Sequence, residues 1–151
     1  MLRLIADQAA INPEAVALLA PDRLPLTYAG LYAEVYEHAR QLRAIGINQK
    51  DRVALFLPNG PEAALSFLAT SAVSICAPLN PVFGTSEFDA ALSSLQPKAL
   101  IAGPDLSLEM RAVVEKRGII LVTANQGREA GVSTLSVSAP RKPPAGTTLL
   151  F

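Results

Sequence analysis

The sequence is poor in the residue types that carry most site chemistry. Its 151 residues include one cysteine, one histidine and no tryptophan, and aromatic residues make up 5%. A lone cysteine excludes an internal disulfide and fits a reducing compartment. Cys76 lies in the apolar run "SAVSICAPL", where inert packing is the expected role. His38 is a single histidine in a helical pattern with no cysteine near it, so no metal site is expected of it. Charge is also missing as a signal. Lys+Arg and Asp+Glu balance at 13 each, which excludes a global basic field for nucleic acid or an anionic membrane. No run approaches the ~20 apolar residues of a membrane span. Asp7 and Gln8 interrupt the N-terminal apolar residues before a signal-peptide core can form. The expected location is cytoplasmic.

Chemical motifs are equally scarce. There is no G-x-G-x-x-G after a strand, no G-x-x-x-x-G-K-[ST] and no G-x-S-x-G elbow, and a single histidine leaves little scope for a catalytic triad. The closest carboxylates, Glu34 and Glu37, lie on the polar face of a helical pattern and read as solvated surface. Two loops, "PNGPE" and "NPVFGTSE", place backbone N–H groups at a helix start. Glu62 and Glu87 already answer the dipole there, so neither is read as an anion site.

Alternation is what the sequence does contain. Half of the residues are hydrophobic and mean hydropathy is +0.31, enough for one domain with a core. Leu2 to Ile11 reads as a short helix ended by Asn12-Pro13. "AVALLA" and "LPLTY" read as two short strands around an Asp22-Arg23 turn, a small N-terminal hairpin. Thr27 is the expected N-cap of a helix from about Tyr28 to Ile45, with Leu31, Val35, Ala39 and Leu42 at helical spacing and Gly46 as the stop. "RVALFL" and "SICAPL" read as strands covered on both faces, separated by a helix from Pro61 to about Val73. A helix from Gly84-Thr85 to Pro97, the strand "KALIAG", a helix from Leu106 to Arg117 and the strand "IILVTA" follow. Asn125 to Ser138 reads as loop with one edge strand in "VSTLSV". Strands alternating with helices of this length predict βαβ units and a mostly parallel sheet, hence an α/β protein built as a three-layer α/β/α sandwich. Residues 1–140 make that domain, 141–146 a linker carrying Arg141-Lys142, and 147–151, "TTLLF", the beginning of an apolar strand.

The order of pieces from Leu26 to Ala102 resembles the N-terminal part of the adenylate-forming ligases, such as acyl-CoA synthetases. The resemblance rests on Thr27-Tyr28 at a helix start, Gly46-Ile47, Asp51-Arg52-Val53-Ala54, Leu57-Pro58-Asn59, Pro78-Leu79-Asn80-Pro81 and Glu87-Phe88, in that order. Lys50, Val73 and Gly84 depart from the family pattern at structural positions. The resemblance implies carboxylate activation by ATP and Mg²⁺ to an acyl-adenylate, then transfer of the acyl group to a thiol such as CoA. It also implies that the catalytic motifs lie later in the chain. These are a Ser/Thr/Gly-rich loop ending in Pro-Lys, an aromatic-Thr-Glu motif, a ribose-binding Asp and a lid Lys. "TTLLF" resembles the strand that leads into the first of them.

No catalytic residue and no metal ligand is therefore assigned, and cofactor-binding residues stay open. The implied partners are the remainder of a ligase chain and a carboxylic acid substrate, with self-association possible through the unpaired strand at 147–151. Two alternatives stand beside this reading. One is a stand-alone binding or assembly protein descended from the family. The other is an unrelated Rossmann-like or flavodoxin-like nucleotide-binding domain, with ligands beyond the strand ends at "PNGPE" and "APLNPVFG".

Overall fold

A computed structural model describes residues 2–138. The expected linker at 141–146 and strand at 147–151 lie outside the described residues. Helix α1 (Leu2–Ile11) precedes a small antiparallel pair, β1 (Val16–Leu18) and β2 (Leu26–Thr27), which is the expected hairpin. The remaining elements alternate: α2 (Tyr28–Ala44), β3 (Arg52–Phe56), α3 (Pro61–Ser71), β4 (Ile75–Pro78), α4 (Thr85–Leu95), β5 (Ala99–Ala102), α5 (Leu108–Lys116) and β6 (Ile120–Gln126). β7 (Ser133–Ser138) closes the series. Strand order in the main sheet is β4-β3-β5-β6-β7. The first four run parallel, and only β7 is antiparallel, against β6.

Period-two alternation sorts the sheet into two cores. Val53, Leu55, Ile101 and Val122 meet Ala39 and Leu42 of α2 and Val73 after α3. Ala54, Leu100 and Leu121 meet Phe88 and Leu92 of α4 and Met110 and Val114 of α5. Helices therefore cover both faces, as the three-layer reading requires. α1 adds to the α2–α3 side, where Ile5 joins Leu31, Val35 and Leu65.

Caps explain the element ends. Thr27 Oγ1 accepts from the N–H of Gly30 at 3.2 Å, and Gly46 leaves α2 with φ +88°. Glu87 Oε2 accepts from the N–H of Gly84 at 3.0 Å.

Some expectations need correction. "SICAPL" is not a strand covered on both faces: among the described residues β4 stands at the edge of the sheet, and Ile75 is 51% exposed. The helix expected from Leu106 begins at Leu108, because Ser107 Oγ accepts from the N–H of Met110 at 3.2 Å and caps it there. The stretch from Asn125 is strand through Gln126, since pairing with β7 extends β6. Among the described residues, no helix is long and apolar enough to cross a membrane.

Candidate functional site

The chain leaves β3 for β4 on one side and returns to β5 on the other. Loops at the carboxyl ends of β3 and β5 therefore diverge, which is where open α/β sheets form crevices. The loop after β3 is Pro58-Asn59-Gly60, already singled out in the sequence. The loop after β5, Gly103-Pro104-Asp105, was not, although Gly-Pro-Asp directly after an apolar strand is a turn signal that could have found it.

Between these loops lies a cleft of about 480 Å³, walled also by the Ala20–Arg23 turn and by Ala124 and Gln126 of β6. Its size falls within the range of small-molecule sites. A second cleft of about 200 Å³ lies among Phe56, Pro81, Phe83, Leu106 and Met110. The two share Leu57, Pro58, Gly103 and Asp105, so they form neighbouring hollows along one edge of the sheet. The structure thus brings "PNGPE" into the larger cleft and part of "NPVFG" into the smaller.

Arg23 organises the larger cleft, where the sequence alone shows only a turn. Its Nη1 lies 2.8 Å from Glu62 Oε1, with both side chains mostly buried. Its Nη2 donates to the carbonyl of Glu129, and its Nε donates to that of Arg128 at 3.4 Å. The backbone repeats this link, since Ala130 N–H donates to the Leu24 carbonyl at 2.8 Å. Gly131 closes the loop with φ +85°, and a Cβ there would lie 3.0 Å from the carbonyl oxygen of Pro61. One guanidinium therefore ties the hairpin turn, the start of α3 and the 128–131 loop into a rigid wall.

Charge limits what this cleft can hold. Asp22, Glu62 and Asp105 line it against the single cation Arg23, which Glu62 already engages. That balance disfavours a nucleoside triphosphate. Among the described residues, no group of three or more His, Cys, Asp or Glu could hold a metal ion. The residues that line the cleft do not fit ATP phosphates or Mg²⁺.

The other singled-out residues lie elsewhere. His38 is buried at the junction of α2 and β7, where Nε2 donates to the Ser133 carbonyl at 2.8 Å. Cys76 packs at the margin of one core, and burial pushes its thiol up to about 11. Glu37 is on the surface, and bonds from Arg40 and then Gln41 hold its carboxyl down at about 2. Lys50 sits in an exposed turn, Val73 is buried in a core, and Gly84 is the N-cap of α4.

The fold, with its two clefts at the carboxyl edge, defines an open α/β domain with a mostly parallel sheet. Its family follows from direct comparison. The family model described as AMP-binding enzyme matches residues 5–148, and the chain belongs to that family. It is 36% identical over 124 residues to a probable CoA ligase of Humulus lupulus, covering 81% of this chain and 23% of the relative. It is 30% identical over 112 residues to an acetyl-coenzyme A synthetase of Shewanella frigidimarina, covering 74% and 14%. Among solved structures, ATP-bound MatB from Rhodopseudomonas palustris superposes with a TM-score of 0.73 at 24% identity, over 86% of this chain and 26% of that one. The N-terminal domain of FACL13 from Mycobacterium tuberculosis gives 0.68 at 27% identity, over 74% and 29%. The chain thus spans about a quarter or less of the curated relatives it matches.

Proposed function

We propose that these residues are the N-terminal part of an ATP-dependent carboxylate-activating ligase, which forms an acyl-adenylate and then an acyl-CoA. In this reading residues 1–140 are its first α/β subdomain, 141–146 a linker, and 147–151 the strand leading to the phosphate-binding loop. ATP, Mg²⁺ and CoA are used by the longer ligase, in the cytoplasm, and the 151-residue chain alone does not adenylate. The observation that carries the reading is the family match across nearly the whole chain, set against the small share of each relative that the chain represents. No Ser/Thr/Gly-rich loop ending in Pro-Lys occurs in these residues.

Carboxylate-dependent exchange between pyrophosphate and ATP tests both halves of the proposal. The 151-residue chain and a longer ligase chain containing it are assayed with acetate, benzoate and a long-chain fatty acid. The longer chain is expected to exchange with at least one acid and to form its CoA thioester, and the short chain to show none. Exchange by the short chain overturns the claim of inactivity. Failure of the longer chain with every acid overturns the ligase assignment.

A further inference from the structure

The total charge balances, but the fold separates it. The parallel strands β3, β4, β5 and β6 all start at one edge of the sheet, and the helix before each of them ends there. Arg43, Lys50, Arg52, Lys98, Lys116 and Arg117 lie at this amino edge, and all are exposed. The carboxyl edge has the reverse balance. Asp22, Glu62 and Asp105 line the larger cleft there, and Glu87 and Glu109 stand in the first turns of α4 and α5.

Helix C-termini account for part of the basic edge. Lys98 Nζ donates to the Gly46 carbonyl at 2.7 Å just after α2, and Arg52 Nη1 to the Leu95 carbonyl at 2.8 Å at the end of α4. Carboxylates account for more, since Lys98 pairs with Asp51 at 2.8 Å and Arg117 with Asp89 at 2.7 Å. A surplus remains. Among the described residues Arg43, Lys50 and Lys116 form no ion pair, and residues 139–151 hold no Asp or Glu. Glu115 is the opposing charge beside Lys116 in the sequence.

Part of this surplus borders a groove. The C-terminal ends of α4 and α5 leave a hollow of about 530 Å³, lined by buried Leu92 and Ile119, by Gln96, and by Lys116 and Arg117 with Asp89. Arg52 reaches the same end of α4 through the Leu95 carbonyl.

We propose that this groove docks an acidic segment of another protein. Its Asp or Glu side chains meet Lys116, Arg52 and Nη1 of Arg117, whose Nε and Nη2 already hold Asp89. An apolar side chain between them covers Leu92 and Ile119. Asp89 and Glu115 stand among the cations, so a nucleic-acid backbone, charged at every step, meets repulsion here. A protein segment avoids it by placing neutral residues opposite those carboxylates. A bilayer presents a plane and cannot fill a groove. The inference stands on the charge layout and is independent of the ligase reading, whose clefts lie at the opposite edge.

Titration of the isotope-labelled 151-residue chain with the acetylated synthetic peptide Asp-Glu-Leu-Gly-Glu-Asp amide, followed by NMR, tests the proposal. Amide shifts are expected at Gln96, Lys98, Arg117, Gly118 and Ile119, and they should fade as salt is raised. Lys116→Glu, at an exposed position, is expected to weaken binding roughly tenfold. Unmoved amides of Val53 and Leu100 show that the variant is folded. Absence of shifts at the groove in low salt overturns the proposal, as do shifts centred on the carboxyl edge or equal binding by Lys116→Glu. Binding of single-stranded oligothymidylate as tightly as the peptide also overturns it, because the edge would then take phosphate. None of these results bears on the pyrophosphate exchange that tests the ligase reading.

Discussion

Arg23 shows how much one side chain can decide. Its guanidinium meets Glu62 and two backbone carbonyls while only 13% of the side chain is exposed. Arg23→Met leaves Glu62 and those carbonyls without their partner. It is expected to lower the free energy of unfolding by about 2 kcal/mol, read from urea titration. Asp51 makes a pH-dependent contribution. Lys98 Nζ at 2.8 Å, and then the N–H of Asn48, hold its carboxyl below the usual range. A carboxyl depressed in the folded state stabilises above its unfolded value and loses that contribution as pH falls through the depressed one. The melting temperature is expected to decline as pH drops below about 4, and more shallowly in Lys98→Met, as scanning calorimetry would register. Cys76 titrates in the opposite sense, since burial raises its thiol to about 11. At neutral pH iodoacetamide should label it far more slowly than an exposed cysteine, with a rate that climbs as pH rises. The sequence places Cys76 in an apolar run and makes this inertness legible. It carries no signal for the Arg23–Glu62 pair, whose members are 39 positions apart and are joined only by folding.

At the scale of elements, apolar spacing and caps did most of the work. Leu31, Val35, Ala39 and Leu42 lie at helical spacing in the sequence, and all four are buried. Phe88 and Leu92 mark the buried face of α4 in the same way, and Phe88 meets Phe56 edge to face at 4.9 Å. Phe88→Ala is expected to cost about 3–5 kcal/mol of stability, whereas Val82→Ala, at a side chain 80% exposed, should stay within about 0.5 kcal/mol. Thermal unfolding of the two variants makes the comparison. Element ends were less legible. Ser107 delays α5 because a hydroxyl cap competes with continuing the periodic pattern backwards, and periodicity does not register that competition. The exposure of "SICAPL" was legible only through Pro78, which has no N–H for a ladder and so marks an edge strand. The apolar run by itself suits the centre or the edge of a sheet.

For the whole molecule, the fold class was legible because alternating strands and helices admit few architectures. The sheet order was not, and that order creates the candidate site. Placing β5 on the far side of β3 from β4 parts the loops after β3 and β5 and opens the cleft between them. Among the described residues, the same order leaves β4 and β7 as the outer strands, β4 with Pro78 in it and β7 without charge or proline. A further expectation belongs to this scale. Gly131→Ala forces an unfavourable positive φ and a contact of 3.0 Å with the Pro61 carbonyl, at the seam between the 128–131 loop and α3. It should lower stability by more than about 1 kcal/mol in urea titration.

By itself, the sequence determined the element types, the parallel sheet and the likeness to adenylate-forming ligases, because periodicity, caps and short motifs act over neighbouring residues. Only the tertiary structure decided strand order, the acidic cleft held by Arg23 and the difference between the two sheet edges. Each of these depends on residues far apart in the chain, which nothing local in the sequence brings together.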